Sequence, residues 1–221
     1  MKMSNRYFQL SNQEKKTFQV KLILLSLVFI ILSGVLIATM SLKFSFLIVV
    51  VIALIISVVA PFFDVPTLVE KGKLTYHSLF LLAEEEKDRL IKIHGGTLFD
   101  YYFTFPEDMS GADRTKLVLL EFLKGLKHLI ETTDDKVELQ GTSYIINERT
   151  ASKVGLETAR VDAAQLLILG FNYLNLMISM SVVKRAVHFP NLSNVKTFRG
   201  SIAAVKARES YIDSLIEKLE A

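Results

Sequence analysis

The chain is expected to be an α+β protein: an N-terminal two-helix transmembrane hairpin followed by a cytoplasmic domain with a mostly antiparallel sheet of about five strands and several packed helices. Three observations predict this. Two long uncharged runs lie side by side near the N-terminus, short β-rich runs punctuated by glycine follow, and two later stretches repeat their apolar residues at helical spacing.

The apolar runs are Leu22 to Leu42, 21 residues, and Phe44 to Phe63, 20 residues, separated by Lys43 alone. At about 1.5 Å per residue each spans roughly the 30 Å hydrocarbon core, whereas one straight helix through both would be twice too long. The chain is therefore expected to turn back at Lys43, which reaches water on the far side instead of lying at the costly bilayer centre. A cleaved signal peptide does not fit, because the first run is long and a second spanning run follows at once. Within the hairpin, Gly34 and Ala38, and Ala53 and Ser57, share the four-residue spacing that lets helix backbones approach.

Orientation follows from cationic flanks. Lys2, Arg6, Lys15, Lys16 and Lys21 precede the first run against Glu14 alone, and Lys71 and Lys73 follow the second. Both termini are expected in the cytoplasm, with the domain at the inner membrane face. Ser11 and Glu14 form a capping box that starts the first helix near Asn12, leaving Tyr7 and Phe8 for the headgroup level. The division is then a basic tail at 1–21, a hairpin at 22–63, a neck at 64–73 and the domain at 74–221.

Strands are expected over Leu74 to Ala83, Leu90 to His94 and Thr97 to Phe105. Gly95-Gly96 serves as a two-residue hairpin turn, and Phe99, Tyr101, Phe103 and Phe105 form one buried face of the third strand. Ser110 and Asp113 open a helix that runs to Glu131. Its apolar stripe is Leu119, Phe122, Leu123, Leu126 and Ile130, and its solvated side carries Arg114, Glu121, Lys124, His128 and Glu131. A fourth strand over Val137 to Ile146, a short helix capped by Asn147 and ending at Gly155, and a strand over Leu156 to Val161 come next. A polar connection leads past Pro190 to Gly200-Ser201, and a terminal helix docks through Ile202, Val205, Ile212, Leu215, Ile216 and Leu219.

Ala163 to Val183 is again 21 residues without a charge. Gln165, Asn172, Asn175 and Ser179 gather in one quadrant, and a third span would carry a basic C-terminal region outward against the charge rule, so a buried helix with a polar seam is expected. The alternative makes the chain a three-span transporter subunit.

The net charge of +3 and pI near 8.9 reflect the basic tail, not a basic domain, so nucleic acid is not an expected partner. With no cysteine, disulfides and thiolate chemistry are excluded. The four histidines, His77, His94, His128 and His188, have no pair at helical metal-binding spacing, so no metal is expected, although His77 and His94 lie on neighbouring strands. The clusters Glu84-Glu85-Glu86 and Thr132-Thr133-Asp134-Asp135 are acidic loops of a type that solvent usually satisfies.

The string Ile93-His94-Gly95-Gly96-Thr97 resembles the oxyanion loop of some lipases and esterases, but no Gly-x-Ser-x-Gly elbow accompanies it. Asn147 to Thr150 followed by Gly155-Leu156 resembles the end of acetyltransferase domains over a short stretch, without a phosphate-cradling glycine loop. No cofactor is expected. The expected role is a protein- or lipid-interaction module held at the membrane, its partners being the bilayer and a membrane or cytoplasmic protein. The alternative is a membrane-bound hydrolase or transferase acting on a lipid-linked or envelope substrate, for which His94, Asp100, Asn147, Glu148 and Arg149 are the candidate catalytic residues.

Overall fold

The computed structural model describes residues 5–143, 148–159, 170–192 and 195–221. A short 3-10 turn, Arg6–Gln9, leads into α1 (Asn12–Met40), which starts at the Ser11–Glu14 capping box as expected and has no buried residue over its length. At 29 residues it is long and apolar enough to cross a membrane, as both membrane spans and N-terminal signal sequences are. The turn Leu42–Phe44 leads to α2 (Leu47–Val59), which packs on α1 and meets α3 (Pro61–Glu70) at a bend of 44°. Pro61 occupies the first turn of α3, where its missing N–H matters least to α3 itself.

The expected neck is therefore helical. Phe62, Val65 and Pro66 of α3 are buried against the domain, because its apolar side meets β1 and α4.

Among the described residues six strands, where about five were expected, form one mixed sheet in the order β1-β2-β3-β4-β6-β5: β1 (Leu74–Tyr76), β2 (Leu81–Glu84), β3 (Leu90–Gly95), β4 (Glu138–Ser143), β5 (Glu157–Ala159) and β6 (Lys196–Ser201). The pair β3–β4 is parallel, with Ile91 opposite Leu139, and the other four pairs are antiparallel. The expected single strand Leu74 to Ala83 is two strands, broken at 77–80. The polar connection after Pro190 contains β6, a strand whose buried Thr197 and Phe198 sit between β4 and β5.

The β2–β3 hairpin turns at Asp88 and Arg89, both at positive φ (54° and 58°), with Lys87 and Leu90 exchanging backbone hydrogen bonds. The hairpin expected at Gly95-Gly96, between β3 and the next run, does not form. There the chain leaves β3 and enters α4 (Leu98–Thr104), a helix where a strand was expected. The physical reason is local: Thr97 caps α4, and Asp100 returns the bond in a full capping box, a signal that outweighs the alternation of aromatics. The aromatics are buried all the same, because α4 is surrounded. Phe99, Tyr101, Phe103 and Phe105 are at most 8% exposed, and only Tyr102 faces out, at 57%.

Helix α5 (Gly111–Thr132) lies across one sheet face with α6 (Glu148–Lys153), α8 (Ile202–Lys206) and α9 (Glu209–Glu220). The main core joins Leu81, Ile93 and Leu139 of the sheet to Leu126, Ile130, Ala151, Ile202 and Ile212. The C-terminal segment docks through its expected apolar side, but as two helices broken at Ala207-Arg208 where one was expected. Arg114 and Glu121, expected in solvent, are instead buried, because α7 (Tyr173–Lys184) and the 77–80 loop cover the back of α5.

Helix α7 also packs on α2 and α4, but over the described residues 170–183 of the Ala163 to Val183 segment only Ser179 and Val183 are buried and Phe171 is 74% exposed, so the helix is partly covered and not the fully buried one expected. The expectations at Gln165, Asn147 and the ends of the two neighbouring strands fall outside the described residues.

A second cluster occupies the opposite sheet face at the β1–β2 end. Tyr7, Phe62, Val65, Leu82, Leu98, Phe99 and Phe103 are its buried members, with Phe8, Phe18 and Leu22 packed against them. Tyr7, expected at the headgroups, is 2% exposed because its ring packs edge-on against Phe99 and Phe103, with centroids 5.0 and 5.1 Å away.

Candidate functional site

By the period-two rule, His94, Leu82, Glu84, Leu74 and Tyr76 share one sheet face, while Leu81, Ala83, Ile91 and Ile93 share the other. Beside α3, the first face forms a cleft of about 700 Å³ lined by Leu68, Lys73, Leu74, Leu82, Glu84, Glu85, Glu86, Lys87, His94 and Thr97. Its apolar floor and charged rim give it the general makeup of a ligand pocket.

The cleft holds a carboxylate–imidazole pair. His94 Nε2 lies 2.8 Å from Glu84 Oε1, and both side chains are close to half exposed. Leu82 is the direct cross-strand partner of His94, which makes Glu84 its diagonal neighbour. This partner follows from the hairpin register and from β2 extending to Glu84, neither of which the sequence alone sets. A carboxylate that orients an imidazole suits proton transfer.

The nearby hydroxyl is already engaged, since Thr97 Oγ1 donates to Asp100 Oδ2 at 2.8 Å. Gly96 serves packing: a Cβ there would meet Phe80 Cδ1 at 2.7 Å and Tyr101 Cε1 at 2.9 Å.

Asp100 lies beneath this loop with no exposed surface, and four donors converge on it. Asn5 Nδ2 donates to Oδ1 at 3.0 Å, the Tyr76 hydroxyl donates to the same oxygen, and the Thr97 N–H and Oγ1–H donate to Oδ2. Burial pushes the Asp100 carboxyl up, against those hydrogen bonds, which favour its charged form. Burial and the Asp100 charge likewise push the Tyr76 phenol up. This network ties the N-terminal segment, β1 and the start of α4 together.

The remaining candidates stand apart. Glu148 and Arg149 begin α6, whose Ala151 and Val154 pack into the core on the other sheet face, and Glu148 pairs with Lys196 at 3.5 Å. The structure therefore brings His94 close to Glu84 and Thr97, and does not bring it together with Arg149.

His128 was expected in solvent. Its Nδ1 instead lies 3.0 Å from Nδ1 of His77, because the 77–80 loop docks on α5, where the Leu79 N–H donates to Glu121 at 3.0 Å. Burial and the neighbouring His128 push the His77 imidazole down to about 4. Among the described residues no three His, Asp or Glu gather to hold a metal ion.

Compared with protein families, curated proteins and solved structures, the chain matches none.

Proposed function

We propose that this chain is a membrane-anchored interaction module: the apolar runs Leu22 to Leu42 and Phe44 to Phe63 cross the bilayer as a hairpin, both termini face the cytoplasm, and the α+β domain, with α3 docked on it, works against the inner membrane face. One observation supports this above the others. The base of α1 and the start of α3 are not tethered to the domain by a free linker but join its core through Tyr7, Phe18, Phe62, Phe99 and Phe103. A domain held in this way has one orientation toward the membrane, which suits recognition of a partner or lipid confined to that surface. Confinement raises effective concentration without any new contact.

The chain has no cysteine, so single substitutions report topology directly. With Ser45→Cys at the turn and Ser11→Cys or Ser214→Cys near the termini, a membrane-impermeant maleimide added to intact cells is expected to label position 45 only. Labelling at 11 or 214, or release of the chain from membranes by alkaline carbonate, overturns the hairpin.

A second reading, a membrane-bound hydrolase or transferase, draws on the His94–Glu84 pair in its cleft. It requires that His94→Gln abolish an activity on a lipid-linked substrate while leaving membrane association intact. On the interaction reading, the same variant leaves any turnover by the preparation unchanged.

A further inference from the structure

Three guanidiniums converge on the last turn of α4 and the segment that follows it. Arg6 Nε donates to Phe103 O at 2.8 Å, and Nη2 donates to Phe105 O at 3.4 Å and Tyr102 O at 3.5 Å, which leaves the Nη1 donors for another acceptor. Arg114 donates to Met109 O, Pro106 O and Val182 O at 3.1, 2.8 and 2.8 Å, and Arg185 donates to Met109 O at 3.3 Å. Among the described residues none of the three has a carboxylate within 4.0 Å.

A cavity of about 440 Å³ opens between Arg6 and Arg114, walled by Leu10, Tyr102 and Phe105, with Glu107 also at its lining. A guanidinium has five N–H donors, and Arg114 uses three of them on carbonyls, which leaves two for another acceptor. Arg114 is buried at 8% exposure, and burial together with the Arg185 charge lowers its affinity for its proton. An anion in the cavity relieves both effects.

The location selects the anion. Phe18 packs on Tyr102, with ring centroids 5.7 Å apart, and lies about one helical turn, or ~6 Å, before the apolar run that begins at Leu22. That is the depth of lipid headgroups when α1 is in a bilayer. Paired guanidinium forks fit the several oxygens of a phosphate better than they fit a single point charge.

We propose that the cavity between Arg6 and Arg114 binds the phosphate of an anionic membrane lipid, with the guanidiniums donating to its oxygens and Tyr102 at the mouth beside the glycerol and acyl chains. The choice of a lipid rests on the hairpin reading; the anion site itself does not.

The test uses the full chain in mild detergent, with phosphatidic acid, phosphatidylcholine and inorganic phosphate as separate probes. By native mass spectrometry, phosphatidic acid is expected to be retained over phosphatidylcholine by about tenfold, and this preference is expected to shrink about fivefold in Arg6→Gln. Arg6 also donates to carbonyls at the end of α4, so that variant is expected to melt slightly lower while its phosphatidylcholine retention stays at the wild-type level, whereas Glu107→Gln, which removes the competing carboxylate, strengthens phosphatidic acid retention. Equal retention of the two lipids, or an unchanged preference in Arg6→Gln, overturns the site. Inorganic phosphate binding as tightly as phosphatidic acid assigns the cavity to a free anion and overturns the lipid source. Because maleimide labelling reads the hairpin separately, failure of one inference is distinguishable from failure of the other.

Discussion

Asn175 of α7 donates its side-chain N–H to the backbone carbonyl of Ser57 in α2 at 2.7 Å. In an uninterrupted helix that carbonyl would accept from the residue four positions on, but the residue there is Pro61, which has no N–H. A side chain 118 residues away thus satisfies a carbonyl that the α2–α3 bend leaves open. In an apolar setting an unpaired carbonyl is expensive, so this bond holds α7 to the apolar helices.

Asn175→Leu is therefore expected to destabilise the chain by about 1–3 kcal/mol, the cost of an unsatisfied buried acceptor. Pro61→Ala restores a local donor for Ser57, so the Asn175→Leu penalty should shrink in the Pro61→Ala background. Thermal unfolding of the four proteins in detergent reads the coupling; strict additivity contradicts it.

Asp100→Asn keeps the side chain's shape but sets an amide N–H against either the Thr97 or the Asn5 donors. A loss of about 1–3 kcal/mol is expected, together with faster proteolysis between residues 5 and 12 as the N-terminal segment loosens. Wild-type stability and cleavage rates in the variant would mean that the network does not hold that segment.

His77 sets a pH dependence. Its folded form takes a proton only near pH 4, whereas in the unfolded chain the ordinary value is about 6.5, so the unfolded state binds more protons between these limits. The contribution is present in full above pH 6.5 and is lost as the pH falls toward 4. After discounting for partial exposure it amounts to about 1 kcal/mol. Denaturant midpoints across that window should fall for the wild type and flatten in His77→Gln. Asp100 acts with the opposite sign: its raised folded value means that its contribution fades as the pH rises through that value.

The β2–β3 turn places two non-glycine residues, Asp88 and Arg89, at positive φ. Asn-Gly is the preferred pair for such a turn, so Asp88→Asn with Arg89→Gly is expected to stabilise the chain by about 1 kcal/mol. A lower melting temperature would show that the two native side chains contribute more than the strain costs.

Two glycines separate packing from habit. Gly96→Ala forces a methyl against the buried rings of Phe80 and Tyr101 and should cost about 1–3 kcal/mol. In Gly34→Ala the new Cβ would lie 4.0 Å from Ile48 Cδ1, an ordinary contact, so no loss is expected. The small-residue spacing at Gly34 is therefore not a tight crossing.

The start of α1 at Asn12, the amphipathic α5 and the docking side of the C-terminal helix were legible in the sequence, because capping boxes and helical periodicity act within a few residues. The aromatic alternation from Phe99 to Phe105 misled, since a helix enclosed on nearly every side buries aromatics without any period-two face. Thr97 and Asp100 carried the correct signal three residues apart. Of the candidate site, His94 was visible but its partner was not, because Glu84 reaches it only through the β2–β3 register.

Local chemistry alone determined where the apolar helices lie, where α1, α5 and α8 start and which stripes α5 and the C-terminal segment bury, since each depends on near neighbours along the chain. Only the tertiary structure decided that β6 completes the sheet, that Arg114 is buried, that His77 meets His128 and that Asn175 answers the carbonyl Pro61 leaves open. Those outcomes join residues tens to more than a hundred positions apart, and nothing in a residue's own neighbourhood encodes which distant backbone will come within hydrogen-bonding reach.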